Sequence, residues 1–304
     1  MADAIQQSSL NLANYTASDV WSKNIRSGAL ARLAAADPEI KVGPTDIFTF
    51  TGTPKAELVA EGANKSNSNE TPTKVTANTY KVQITYRYTQ EVRLLDEEGK
   101  IRIINALVAR MLVALSRSLD LIAIHGINPL TGTVASTVTN YLDKASFVNT
   151  VTIGTGGANG ALTSAVKTLI DNGYQPTGIA MDPSYAYDLS LATDANKRPL
   201  YPELGLGLVM DSFKGLRAAS SDTISGKNDI ASPATALDRA VLADFNAFKW
   251  GIAAEMPMRT IEYGDPDGNG DLQRTNEVAI RAETFIGFAF LDPKAFVLIK
   301  AAAA

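Results

Sequence analysis

Tyr80, Val82, Ile84, Tyr86 and Tyr88 alternate with Lys81, Gln83, Thr85, Arg87 and Thr89. This unbroken period of two fits an extended strand with one apolar face. The run KVTANTYKVQITYRYT, residues 74–89, is therefore predicted to be one long strand. Upstream, IFTFTGTPKAELVA at residues 47–60 is also strand-like, and the stretch from Gly62 to Pro72 between them is almost wholly polar. The pair reads as a long hairpin with a polar tip. A two-stranded hairpin is marginal in water, so its apolar face must be covered by its own domain or by another subunit.

The remaining patterns surround this hairpin with helices and a second sheet. Before it, Val20, Trp21, Ile25, Leu30 and Leu33 suggest an arm with one amphipathic helix, stopped near Asp37-Pro38 because the residue before proline disfavours helix. After it, Ile101, Ile104, Val108, Met111, Leu115, Leu119 and Ile122 recur at helical spacing. Asp96 is positioned as the cap, with Glu97 and Glu98 at the positive end of the dipole and Gly99 a weak point. A helix from Asp96 to His125 would be roughly 45 Å long. From about 130 to 250, short strands such as GIAM and AVLAD alternate with helical pieces, one opened by Asp182-Pro183. The last third contains a second long hairpin, whose later strand alternates through Val278, Ile280, Ala282, Thr284, Ile286, Phe288 and Phe290 and would span roughly 40 Å. The fold class is α+β.

Composition narrows the chemistry. The 304 residues include 45% hydrophobic side chains, one histidine and no cysteine, with a net charge of −4. This suits a globular protein, excludes thiol catalysis and disulfides, and fits a reducing cytoplasm. No basic run marks nucleic-acid or membrane binding, the N-terminus lacks a signal-peptide pattern, and no apolar run approaches the roughly 20 residues that span a bilayer. The run Gly154 to Gly160 precedes a helix but lacks the spacing of a dinucleotide or phosphate loop. His125 sits at a helix end, where a cation suits the dipole, and reads as a cap rather than as a member of a catalytic triad. No acid/base pair stands out, and no cofactor is implied.

The stretch GDPDGNGD, Gly264 to Asp271, places Asp265, Asp267, Asn269 and Asp271 like the first ligands of a calcium loop. The twelfth position is Asn276 where a bidentate glutamate is needed, and the flanks are strand-like. The stretch reads as a turn between two long strands, with the four residues kept as a weak metal candidate.

The order of arm, polar-tipped hairpin, long helix, mixed body and final hairpin resembles the major capsid proteins of tailed bacteriophages with the Hong Kong 97-type fold. The resemblance is carried by Ala56 to Gly62, by Leu119 to Gly126, by Gly178 to Ser184 with Arg198 to Tyr201, and by Asn276 to Glu283 with Asp292 to Phe296. It implies an N-arm (1–45), an E-loop (46–89), a P-domain (90–130 and 251–284) and an A-domain (131–250 and 285–304). It also implies self-assembly into pentamers and hexamers that form an icosahedral head around double-stranded DNA, bound without sequence specificity. Assembly would occur in the host bacterial cytoplasm, with a separate scaffolding protein, a portal and decoration proteins as partners and no membrane involved. The hairpin's apolar face would then lie on a neighbouring subunit. Glu61, Lys65, Lys74, Asp265, Asp267, Asp271, Arg281 and Glu283 become candidate assembly contacts. Lys65 or Lys74 with Asn269 has the residue types of an inter-subunit crosslink, and the acidic turn could share a cation between subunits. The rival readings are the shell of a prokaryotic nanocompartment, which shares the fold, and a calcium- or nucleotide-binding enzyme.

Overall fold

The computed structural model describes residues 25–67, 70–97, 103–194, 196–204 and 211–302. Its first sheet has four antiparallel strands in the order β1-β2-β9-β8: β1 is Thr45–Thr49, β2 Thr73–Thr89, β8 Phe248–Ile261 and β9 Glu277–Phe290. The second sheet is mixed and six-stranded. In spatial order it contains β3 (Asn149–Thr152), β10 (Phe296–Lys300), β7 (Asp238–Ala243), β4 (Gly178–Met181), β6 (Leu216–Ser220) and β5 (Ser212–Phe213).

The predicted long strand is present, but its pairing corrects the simple hairpin. Only Thr73 to Ala77 pair with β1, whereas Asn78 to Thr89 pair with β9. Residues 50–60 form no strand and are exposed except for Val59. The apolar face of β2 is covered within its own chain. Tyr80 and Val82 pack on the main core, while Ile84, Tyr86 and Tyr88 join a second cluster with Val92, Ile103, Met111 and Ile280. Burial on this scale contributes about 25 cal/mol per Å² of apolar surface. That gain explains why the face is not left open for a neighbour.

Helix α1 is a single turn, Leu30–Leu33, and α2 runs from Gln90 to Glu97 directly after β2. The spine helix α3 is Ile103–His125, about 35 Å long. Asp96 therefore lies inside α2 rather than before a single long helix, although its carboxylate still accepts from the Ile104 N–H at 3.2 Å. Val20, Trp21, Glu98, Gly99 and Ile101 lie outside the described residues, and Ile25 precedes the helical turn.

Helices α4 (Gly157–Asp171) and α5 (Pro183–Ser190) flank the second sheet. Asp182 caps α5 as expected, accepting from the Ser184 N–H at 2.8 Å. The segment around Asp37 to Ile40 crosses β8 and β9 where both strands carry glycine. A Cβ on Gly251 would lie 2.4 Å from the Asp37 carbonyl oxygen, and one on Gly287 would lie 2.5 Å from Ile40. Phe245, Phe248, Phe288, Phe290 and Phe296 fill the core between the two sheets. Their rings meet edge-on or tilted, with centroids 5.1 to 6.5 Å apart.

Candidate functional site

The acidic turn links β8 to β9 as the sequence suggests, with strands on both sides. Gly264, Gly268 and Gly270 adopt positive φ, which glycine does without steric cost. Leu272 plugs the turn into the interior and is fully buried. Arg87 organises the carboxylates. Its guanidinium lies 3.3 Å from Asp265, 2.6 Å from Asp267 and 3.0 Å from Glu277, and it donates to the Gly270 carbonyl at 2.6 Å. Partial desolvation works against the charge on Asp267, but Asn269 and Arg87 together hold its carboxyl below the usual range. Asp271 accepts from the N–H groups of Gln273 and Arg274 at 2.8 and 3.3 Å. Asn269 donates to Asp267 at 3.0 Å. A guanidinium thus occupies the place between Asp265 and Asp267 that a calcium ion would need.

The other candidate residues are dispersed over the first sheet and its tip. Arg281 donates to Thr85 at 3.0 Å and to the Pro266 carbonyl. Glu283 meets Lys81 at 3.1 Å and Lys74 meets Asp46 at 2.7 Å. Glu61 and Lys65 are exposed on the tip, which is closed by Glu57 accepting from the Ser66 N–H at 2.9 Å and its hydroxyl at 2.6 Å. Leu58 is fully exposed there, and Phe48 and Phe50 are about two-thirds exposed. Elsewhere an apolar groove of about 420 Å³ lies between α3 and the β8–β9 face. Three residues on its walls, Leu112, Ile252 and Met258, are left exposed.

Two buried polar groups go beyond the sequence reading, which had only His125, at the helix end as expected but buried among distant partners. Asp120 is wholly buried and accepts from the N–H groups of Ala29 and Leu30 at 2.6 and 3.1 Å and from the Thr223 hydroxyl at 2.5 Å. It thereby caps α1 from the spine helix. Burial raises its carboxyl above the usual range despite these donors. Beside it Arg117 pairs with Asp222 at 2.6 Å and Asp229 at 2.8 Å. The second group lies at the spine helix end, where His125 and Asp238 are almost fully buried and Asp143 and Lys300 are partly so. Their acidic and imidazole atoms lie within 4.8 Å of one another, a spacing that would suit a metal. The Lys300 ammonium already stands there, touching Asp143 and lying 3.5 Å from Asp238. We read the group as ion-paired side chains rather than an ion cage. An aspartate five residues before a histidine near the helix end was the available signal, but nothing local to it names the distant partners.

A family model described as the phage capsid family matches residues 12–301. The chain belongs to the phage capsid family. A solved structure from Mycobacterium phage Ogopogo is 38% identical, covering 99% of this chain and 100% of that one with a TM-score of 0.85. One from Gordonia phage Cozz is 29% identical over 96% of this chain and 92% of its own, with a TM-score of 0.81. A third, the capsid of an empty GTA particle computed with C5 symmetry, shares the fold at 17% identity and a TM-score of 0.63, covering 98% and 97%. None of the curated proteins matches the chain. The fold of this capsid protein is thus the Hong Kong 97-type, as the order of elements suggested. Its family role is structural, in the shell of a virion. No helix among the described residues is long and apolar enough to cross a membrane.

Proposed function

We propose that copies of this capsid protein assemble into pentamers and hexamers that tile an icosahedral head around packaged double-stranded DNA. The supporting observation is the segment from Phe50 to Lys74. Its described residues are exposed except for Val59, and it displays Leu58 to solvent, while β2 beside it is covered by its own chain. A protruding segment with exposed apolar side chains gains little in a lone subunit and gains burial against a second copy. The groove between α3 and β8–β9 is an apolar surface of the kind such a segment would cover. In this reading residues 1–45 are the N-arm, 46–89 the E-loop, 90–130 and 251–284 the P-domain, and 131–250 and 285–304 the A-domain.

Glu61 and Lys65 would make contacts at the tip. The exposed sides of Asp265 and Asp271 would do so where capsomers meet, with Arg87 and Arg281 holding the turn in shape. A net charge of −4 suits a wall that encloses DNA without gripping its sequence. A separate scaffolding protein, a portal and decoration proteins complete the partners, and assembly takes place in the host cytoplasm. Expression of the full chain with its scaffold should yield rings or closed shells by negative-stain electron microscopy. Particles carrying nuclease-protected DNA after infection would support a head rather than a nanocompartment. Monomers or dimers under all conditions would overturn the proposal.

A further inference from the structure

His125, the only histidine in the chain, ends the spine helix with both ring nitrogens facing oxygen. Nε2 lies 3.0 Å from the Thr223 carbonyl and Nδ1 lies 3.4 Å from Asp238 Oδ2. A neutral imidazole carries one N–H. With the proton on Nε2, the Nδ1 lone pair faces a carboxylate; with it on Nδ1, the Nε2 lone pair faces a carbonyl. Only the imidazolium gives both oxygens a donor. The charges agree: Asp143 and Asp238 carry two negative charges, Lys300 one positive, and a protonated His125 brings the buried set to zero. The next acid, Asp229, is paired with Arg117 at 2.8 Å. Among the described residues neither oxygen of Asp238 accepts a conventional hydrogen bond; what they face is the imidazole and the ammonium. An uncompensated carboxylate this deeply buried would be costly.

We propose that a proton on His125 clamps the end of the spine helix to the second sheet, so that the joint holds at acidic pH and loosens as the pH rises. The four side chains come from four places: the end of α3, the loop carrying Asp143, the start of β7 and the end of β10. Backbone hydrogen bonds from Leu142 to Ala123 and from Asp143 to Ile124, at 3.0 and 2.8 Å, bring the loop to the helix end. Burial opposes the charge on His125, but Asp238, the Thr223 carbonyl and Asp143 outweigh it, so its pKa is raised above the ordinary value. The folded chain therefore holds the proton more tightly than the unfolded one. The stabilisation is fully present below the unfolded value of about 6.5 and is lost as pH rises through the folded value.

Because there is one histidine, its ring signals need no assignment. Solid-state NMR of sedimented full chain labelled at histidine should show both ring nitrogens protonated at pH 6 and a titration midpoint above about 6.5. In Asp238→Asn the burial remains and the countercharge goes, so the midpoint should drop below that of wild type. In parallel, the urea midpoint of wild type should fall between pH 6 and 9 and that of His125→Gln should stay flat. If either variant fails to fold, the wild-type spectrum decides alone. A neutral imidazole at pH 6, a midpoint at or below about 6.5, or a stoichiometric metal retained at this position would overturn the proposal.

Discussion

Arg87 lies on the polar half of the β2 alternation, yet its side chain is only 5% exposed and it holds three carboxylates and a carbonyl. Removing one partner of a buried ion pair strands the others. Arg87→Met should therefore lower subunit stability by about 3 kcal/mol, the low end for such losses because Asp265 and Asp267 can turn to water. Arg87→Lys should recover part of this, since an ammonium cannot reach the same partners with a planar fork. Urea unfolding of unassembled subunits is the measurement, and a loss below about 1 kcal/mol, typical of an exposed pair, would refute the clamp. Alternation identified which side chains share a face with Arg87 but carried no information on whether that face is covered. For the same reason Asp120, Asp238 and Lys300 could not be read as partners of Ala29, His125 and Asp143: these contacts join positions 91, 113 and 157 residues apart, and no short window spans such distances.

Element by element, the strong periodicities were legible and their neighbours were not. The alternation in β2 and β9 marked two long strands, but a period of two does not say which strand lies alongside: β1 pairs only with Thr73 to Ala77, and the partner of Asn78 to Thr89 is β9. Helix α2 was missed because Thr89 passes into Gln90 with no glycine or proline to mark the change. The tip from Gly62 to Pro72 was recognised by its lack of apolar residues, and its described residues are all exposed. Deleting residues 63–71 should therefore leave the unfolding free energy within about 0.5 kcal/mol of wild type, as for surface changes away from packed features, while shells fail to form. Normal shells by electron microscopy, or a collapsed subunit by circular dichroism, would refute this division of labour.

At the scale of the whole molecule, the order of elements identified the fold where individual motifs were loose, because an arrangement of two long strands, a spine helix and a mixed sheet leaves few ways to cover every apolar face. That order also has a bearing on biosynthesis. β9 lies between β2 and β8, and β10 between β3 and β7, so the strand emerging last in each sheet is an interior one. Until they leave the ribosome, β2 and β3 lack the neighbours that bury their edges. A chain ended after Asn276 should be insoluble or proteolysed and should show no cooperative unfolding, whereas a soluble, cooperatively folding fragment would contradict the dependence on late strands. Such a topology acts as a completeness check on the chain: a product interrupted before β9 can close neither sheet, and one interrupted between β9 and β10 can close only the first.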